Sequence, residues 1–446
     1  MSFHQNILKA RSHIAFTIGL CLAAGFALSM ETGIANSLRG SASVKIAKSD
    51  DQTALVEAAK LSTVDLEYAQ SAWAYFESNL QPDTGLVNAV NNFPSTTIWD
   101  QASYLLALIS AQRLGIIDKH TFAQRMNASL HTLARLPLFD GKLPNKVYDT
   151  RTLVMTNYAN TPIERGIGWS ALDIARVTVP LNILLFDYPN HASAAGDILS
   201  NWDFSAMLTN GTMFGARVDD NGQTERVQEG RLGYEEYGAR AVNLLGLDAL
   251  TAAKYDDYLS YANVAGQKIA IDSRSFSEFD AHNYVVSEPY ILTAIEFGLD
   301  FDSKELAHRI YRAQHERYKR SGIVTAVSED NIDQEPYFLY NTVYANGTPW
   351  NALAEDGSQH PDKRTVSTKA AFGWDAIYAT EYTAKLMDYV GKTKTENGGF
   401  ASGVYESDGR TNAITTANTN AIILETLQYK ANGPLLTARF KKKGKL

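Results

Sequence analysis

The sequence predicts an all-α fold, an (α/α)6 barrel (toroid) of about six helical hairpins with a long loop insertion over its mouth. Apolar residues recur at i, i+3 and i+4 along nearly the whole chain of 446 residues, whereas alternating strand patterns are scarce. Short glycine-containing junctions join consecutive helices, as in αα-hairpins. Chemically unusual stretches open every second helix, which a ring of inner helices would explain.

The helical pattern divides into about twelve segments. Three junctions, "QRLGIIDKHTF", "NLLGLDALTAA" and "IEFGLDFDSKEL", place Gly115, Gly246 and Gly298 where a left-handed cap ends one helix before the next begins. Six such hairpins in sequence are what an (α/α)6 barrel requires. The predicted helices span 64–80, 97–114, 119–136, 170–187, 190–201, 233–246, 248–265, 288–298, 303–320, 368–379, 380–391 and 415–432.

Six polar and aromatic motifs precede or open the even-numbered helices. They are "TTIWDQASY", "GIGWSALD", "QEGRLGYEEY", "SEPYIL", "STKAAFGWD" and "TANTNAIILE". If the even helices form the inner ring and run the same way, their N-termini converge on one mouth. The long segment 321–367 enters an even helix, so we expect it to lie over that mouth. Loops of this length are usually functional or disordered, and its aromatic residues argue against disorder.

The two ends of the chain differ from the body. Lys9 and Arg11 precede an uncharged stretch at 13–30, so residues 1–30 predict a secretory signal or an N-terminal membrane anchor. Residues 31–60 are small and polar and predict a linker. The barrel domain is expected at 61–435, and residues 436–446 form a basic tail. These ends predict a bacterial periplasmic or secreted protein, with inner-membrane association if the segment stays uncut.

Composition and motifs exclude several classes of function. A net charge of −8 argues against nucleic acid as a partner, and the single cysteine, Cys21, argues against disulfides. There is no G-x-S-x-G elbow, no glycine-rich phosphate loop and no H-E-x-x-H pair. The nine histidines lack ligand spacing. We expect no cofactor and no metal ion, although Ca²⁺ among the loop carboxylates stays open, and we expect a monomer.

Carboxylates beside aromatic platforms suit carbohydrate, because rings stack on sugar faces and polar groups bond hydroxyls. Hydrolysis of a glycosidic bond needs one acid as proton donor and a second carboxylate as base or nucleophile. The candidate catalytic residues are Glu229, Asp100, Glu288, Glu329 and Asp330. The candidate substrate-binding residues are Trp99, Trp169, Asp173, Arg231, Tyr234, Glu235, Tyr290, Trp374, Tyr405 and Asn418.

Several of these acids also have a purely structural interpretation. Asp100 and Asp173 each follow a Thr or Ser by three residues, as in a helix cap. Glu288 precedes a proline in a first helical turn, and Glu236 is expected to be solvated. Glu229 precedes Gly230 outside the regular helix, so it is the first choice as general acid.

These motifs resemble a bacterial domain-of-unknown-function family, the one numbered 3131, over about residues 60–435. The resemblance rests on "TGLVNAV", "TIWDQASYLLALISAQRLGIID", "LPNKVYDT", "GIGWSALDIAR", "QEGRLGYEEY", "SEPYILTAIEFG", "TAVSEDNID" and "TANTNAIILE". It implies an exported α-helical domain close to (α/α)6 glycan-active proteins. "QEGRLGY" is also similar to the S-E-G-x-x-Y-G stretch of family 8 glycoside hydrolases. Gln228 replaces the serine and the Tyr–Gly order differs, so Glu229 matches the family's acid only by this altered motif.

The sequence therefore predicts an exported glycoside hydrolase or transglycosylase acting on a bacterial or environmental, β-glucan-like oligosaccharide or polysaccharide. The alternative is a non-catalytic glycan-binding or envelope-assembly protein that uses the same cleft. A helical-repeat scaffold for protein partners is the third interpretation.

Overall fold

The structure is a computed structural model that describes residue 46, residues 48–279 and residues 282–436. The chain divides into a short unit that ends at Ile46 and a larger unit that begins at Ala47. The predicted signal or anchor at 1–30, and all but the first residue of the predicted tail, lie outside the described residues. Among the described helices, none has both the length and the apolarity needed to cross a bilayer.

Helices account for most of the regular structure in the larger unit, and we number them in chain order. The eighth begins as an α-helix and continues as a π-helical turn at Thr293–Phe297. The helices are α1 Thr63–Ser78, α2 Ile98–Leu114, α3 Lys119–Leu133, α4 Ala171–Asp187, α5 Pro189–Asn201, α6 Tyr234–Asn243, α7 Phe276–Phe279, α8 Glu288–Leu292, α9 Phe301–Ser321, α10 Thr368–Tyr378, α11 Glu381–Val390 and α12 Ala417–Asn432.

The even-numbered helices form a closed inner ring. Each packs against the next even-numbered helix, and α12 packs against α2 to close the circle. Around the ring, α1 packs on α12 and α2, α3 on α2, α5 on α4, α9 on α8, and α11 on α10. The predicted (α/α)6 fold class is therefore confirmed.

Local sequence explains where the inner helices begin. At the start of α2, Thr97 and Asp100 form a reciprocal capping box, and Ser170 accepts the Asp173 N–H at the start of α4. Thr416 caps α12 in the same way. At the other end of α2, Gly115 is the left-handed C-cap that the sequence predicts, with φ +74°.

The predicted helix at 248–265 is wrong. This segment contains a short 3-10 turn and then the hairpin Leu259–Val264 with Gln267–Asp272, which packs on α9 in the outer layer. The two turn residues, Ala265 and Gly266, have φ +50° and +81°, which suits a tight two-residue hairpin turn. Tertiary packing on α9 overrides the weak helical pattern here.

Short antiparallel strands, which the sequence did not predict, decorate the barrel, and several lead directly into inner helices. Most contain two to seven residues, too few to show a clear alternation. The paired strands are Ser95–Thr97, Val147–Asp149 and Met155–Thr156; Leu138–Phe139 and Leu143–Pro144; Leu208–Thr209, Thr212–Val218 and Thr224–Gln228; Tyr284–Val285, Tyr344–Ala345 and Thr348–Pro349; Glu329–Asn331, Phe338–Asn341 and Ala352–Leu353; and Thr365–Ser367, Ala401–Tyr405 and Thr411–Thr415.

The long segment between α9 and α10 is an ordered insertion. Ile332, Leu339 and Ala354 from the insertion pack with Tyr405 in one buried apolar cluster. The neighbouring Glu406 accepts hydrogen bonds from Arg317 on α9 and from Arg364 near the end of the insertion. The insertion is thereby tied to α9 and to the strand that ends at Tyr405.

Residues 48–60, which belong to the predicted linker, form a strap that is hydrogen bonded to the barrel helices. Ser49 and Gln52 donate to the buried Glu305 on α9, with Gln52 Nε2 2.6 Å from its Oε2. Farther on, the Val56 and Ala59 N–H groups donate to carbonyls near the C-terminal ends of α10 and α12. Because the inner helices begin at the mouth, this strap crosses the opposite end of the barrel.

Candidate active site

The mouth of the barrel is formed by the N-terminal ends of the inner helices. A first group of acids lies where α2 and α4 begin. Burial raises the pKa of Asp173 to about 7, and the charges of Glu229 and Asp100 raise it as well. Burial also raises the pKa of Asp100, although hydrogen bonds from Thr97 oppose this. These three carboxyl groups are therefore electrostatic neighbours, and Asp173 is the one that holds a proton near neutral pH.

Glu229 accepts hydrogen bonds from the N-terminal end of α4. Its Oε2 accepts the Ala171 N–H, the first of α4, and the Leu172 N–H lies 3.4 Å away. Burial raises its pKa, while Lys146 and these N–H groups lower it. Gly215 leaves room for the carboxylate, because a Cβ there would lie 2.8 Å from Oε2. Helix N-terminal donors favour the ionised form of Glu229.

A second group of acids surrounds one buried lysine. Lys369, on α10, pairs directly with Glu288 at the start of α8, and its Nζ lies 3.5 Å from Asp330 of the insertion. Although burial opposes this, the surrounding carboxylates raise the pKa of Lys369 and keep it charged. Burial raises the pKa of Glu329 to about 7 and that of Asp330 to about 6.

Trp99 and Asn418 join the two sides of the mouth. The Trp99 indole Nε1 donates to Asn418 Oδ1 at 3.2 Å, and Asn418 Nδ2 donates to Glu288 Oε1 at 3.1 Å. The Trp99 ring meets the edge of Tyr234 with centroids 5.7 Å apart. Trp99, Tyr234 and Asn418 remain partly exposed at the mouth.

Below Trp99 lies a fully buried charge cluster that the sequence motifs did not reveal. Arg176 on α4 bonds Glu296 at 2.9 Å and Glu425 at 3.3 Å, and its guanidinium lies 4.6 Å from the Trp99 ring centroid. Tyr237 bonds both Arg176 and Glu296. This cluster forms the floor of the mouth.

The sequence analysis did not identify three tyrosines at the rim, because these residues lie outside the six motifs. The Tyr158 ring is 59% exposed. Burial around its hydroxyl group raises the pKa of Tyr158, and the charges of Asp173, Glu355 and Glu229 raise it as well. Tyr284 and Tyr340 stack in parallel with centroids 3.8 Å apart. These rings offer aromatic surface beside the acids.

Four aromatic residues predicted to hold sugar are buried in the wall or against the insertion, and their contact with sugar stays a prediction. The Trp169 indole donates to the Phe214 carbonyl at 3.0 Å, and the Trp374 indole donates to Ser287 Oγ at 3.1 Å. Large rings at helix starts here fill the space between elements. The four buried residues are Trp169, Tyr290, Trp374 and Tyr405.

Most polar residues of "QEGRLGYEEY" serve the local structure. Glu235 is buried and paired with Arg274 at 2.5 Å, and Arg231 is buried and bonds the Gly230 carbonyl at 2.7 Å. The expectation that Glu236 is solvated is wrong, because it is 3% exposed and accepts the Gly233 N–H at the start of α6. Burial raises the pKa of Glu236 to about 8. The predicted sugar contacts of the buried Glu235 and Arg231 also stay predictions.

Within residues 46, 48–279 and 282–436, no group of three or more histidine, cysteine or acidic side chains could hold a metal ion.

The sequence family described as "Protein of unknown function (DUF3131)" matches residues 67–433. No curated protein matches the chain. Among solved structures, an endo-β-1,2-glucanase from Chitinophaga pinensis, in complex with sophorotriose and glucose, is 13% identical with a TM-score of 0.59, covering 85% of this chain and 95% of that one.

Two further solved structures are similar over most of the chain. An endo-β-1,2-glucanase from Talaromyces funiculosus, in complex with sophorose, is 10% identical with a TM-score of 0.60, covering 86% of both chains. A glucoamylase-like protein from Bacteroides fragilis is 11% identical with a TM-score of 0.61, covering 86% of this chain and 94% of that one. At these identities the likeness establishes the shared fold.

Proposed function

The chain belongs to the DUF3131 family, and from its mouth we propose that it is a glycoside hydrolase acting on a β-glucan. The observation that carries the proposal is the contrast between the acids on the two sides of the mouth. Asp173 has a pKa of about 7, whereas Glu288 pairs with the charged Lys369. Glycoside hydrolysis needs a proton donor and a second carboxylate, and these two groups can supply them.

In the proposed reaction, Asp173 is the proton donor, a role that the sequence favoured for Glu229. Glu229 instead supplies the negative charge that keeps the proton on Asp173. Glu288, paired with Lys369, is the second carboxylate and acts as base or nucleophile. Asp330 and Glu329 flank it and complete the acidic side of the mouth. The partly exposed rings of Trp99 and Tyr234 and the rim tyrosines would hold the sugar.

The substrate class rests on the fold and on the chemistry of the mouth. Two proteins of this fold are endo-β-1,2-glucanases, in complex with sophorose or with sophorotriose and glucose. Acids beside exposed aromatic rings suit uncharged sugar polymers, and we therefore propose a β-glucan, with β-1,2-glucan the first to be tried. The protein would act as a monomer.

The test is the release of reducing sugar from a panel of α- and β-glucans. Asp173→Asn and Glu288→Gln should each lower turnover by about 10²–10⁴ while sugar binding is retained. Glu67→Gln, an exposed acid on α1, is the control and should match the wild type. Near wild-type turnover in Asp173→Asn would remove it from the mechanism. Sugar binding without any released reducing ends would favour the non-catalytic glycan-binding alternative.

Glu229→Gln separates the two acids of the first group. Removing its charge should lower the pKa of Asp173, so the alkaline limb of the pH–rate profile should move to lower pH. A profile that keeps its alkaline limb while turnover falls as far as in Asp173→Asn would return the proton donor to Glu229.

We also propose export of the chain to the periplasm or the medium. The support is the sequence of residues 1–30, a charged start followed by an uncharged stretch. A fusion of this segment to a reporter that is active only outside the cytoplasm should be active. Cytoplasmic recovery of the full-length chain would contradict the proposal, and recovery with the inner membrane would favour an uncut anchor over a cleaved signal.

A further inference from the structure

The orientation of the Asn418 amide is determined by its neighbours. An indole N–H can only donate a hydrogen bond, so the Asn418 atom that faces Trp99 Nε1 at 3.2 Å must be the carbonyl oxygen. Ser103 Oγ lies 3.1 Å from the same oxygen and donates to it. The amide nitrogen is therefore turned toward Glu288.

Glu288 receives hydrogen bonds from groups that can only donate. Asn418 Nδ2 lies 3.1 Å from one carboxylate oxygen and 3.2 Å from the other, and the Lys369 ammonium contacts Oε2. The side chain is buried, so these donors replace water. These donors fix the orientation of the Glu288 carboxylate.

The Trp99 ring is itself fixed from below and from the side. The Arg176 guanidinium lies 4.6 Å from the Trp99 ring centroid, as in a cation–π contact. The rings of Tyr234 and Tyr237 also pack against Trp99. Arg176 is locked in turn by the buried carboxyl groups of the floor. The indole N–H therefore points in one direction, which determines the orientation of the Asn418 amide.

We infer that Trp99 and Asn418 are positioning residues that orient the Glu288 carboxylate through their hydrogen bonds. The inference rests on the proposed function, in which Glu288 is the base or nucleophile. It adds to the role expected for both residues, because the Trp99 ring can hold sugar while its indole N–H positions the Asn418 amide. The charged groups that interact with Glu288 are Lys369 on α10, Asp330 in the insertion, Arg176 on α4 and Glu425 on α12.

The test follows the Glu288 carboxyl group directly, without substrate. The full chain is labelled with ¹³C at glutamate carboxyl groups, and the Glu288 signal is assigned by its loss in Glu288→Gln. Trp99→Phe removes the indole N–H that orients the amide, and Asn418→Ala removes the donor. In each variant the Glu288 carboxyl signal should shift from its wild-type position, because the hydrogen bonds to the carboxylate have changed.

A matched control separates positioning from general destabilisation. Trp169→Phe removes an indole N–H from a more deeply buried ring, whose acceptor is the Phe214 carbonyl in the barrel wall. It should leave the Glu288 carboxyl signal unmoved. An unmoved signal in Asn418→Ala, the variant less disruptive to packing, would overturn the inference even if Trp99→Phe fails to fold.

The same variants distinguish this inference from the proposed function. If the Glu288 signal shifts and no glucan is hydrolysed by the wild type, the positioning role stands and the proposed activity fails. If β-glucan is hydrolysed, kcat in Asn418→Ala should fall by about 10- to 100-fold with little change in KM, because a misplaced carboxylate slows the chemical step. A wild-type kcat in that variant would remove Glu288 from the reaction.

Discussion

Replacing Arg176 by methionine should destabilise the barrel strongly, and more so at high pH. Arg176 is fully buried and bonds Glu296 at 2.9 Å and Glu425 at 3.3 Å. Removing one partner of a buried ion pair costs about 3–5 kcal/mol, because it leaves a buried charge without compensation. Burial raises the pKa of both carboxyl groups, and the charge of Glu296 raises that of Glu425 further, so only one net charge is left unpaired. We therefore expect a single such penalty.

The pH dependence of this variant follows from the acids that remain. Burial already raises the pKa of Glu296 and of Glu425, and the Arg176 charge opposes that rise. Without Arg176 both pKa values rise further above those of the unfolded chain. An acid with a raised folded pKa binds its proton more tightly in the folded state, so stability falls as pH rises. Arg176→Met should accordingly lose about 3–5 kcal/mol at pH 8 and less at pH 5.

Urea unfolding at pH 5 and pH 8, followed by circular dichroism, measures both effects. The double variant Arg176→Met/Glu425→Gln removes the unpaired charge and should regain a large part of the loss at pH 8. Lys319→Met breaks an exposed pair with Glu316 at 3.0 Å and should cost about 0–1 kcal/mol at either pH. A loss below about 1 kcal/mol for Arg176→Met, or equal losses at the two pH values, would refute the reasoning.

Two further predictions concern the strap and a barrel glycine. Although burial opposes them, the hydrogen bonds to Glu305 lower its pKa to about 2. The stabilisation that ionised Glu305 gives the strap is present above the ordinary carboxyl pKa and is lost as pH falls toward 2. Cleavage at 48–60 in limited proteolysis should therefore increase over that range. Glu305→Gln should show the increased cleavage even at pH 7, and resistance there would contradict the role. In Gly168→Ala, the new Cβ would lie 1.9 Å from the Ala216 carbonyl oxygen at φ +122°, so unfolding free energy should fall by at least about 3 kcal/mol. Gly196→Ala lies inside α5, where the new Cβ would meet Leu185 Cδ2 at 3.8 Å in ordinary van der Waals contact, and it should instead gain about 0.5–1 kcal/mol. Similar effects in both variants would contradict the clash.

The sequence by itself determined the helical framework. The inner helices begin close to where the periodicity and caps predict, as at Thr97 and Ser170, since a cap involves residues only three positions apart. It also indicated which ends of the helices carry unusual chemistry. The hairpin at 259–272 was missed because its pairing is decided by packing on α9 and by two positive φ angles.

The chemical state of the site was decided only by the tertiary structure. Whether a ring at a helix start faces the mouth, like Trp99, or the wall, like Trp374, depends on the neighbouring helices. Glu236 reads as solvated in the sequence, yet its burial raises its pKa to about 8. Glu288 meets its amide partner Asn418 across 130 positions of the chain. Protonation depends on burial and on such distant partners, and local sequence spacing contains neither.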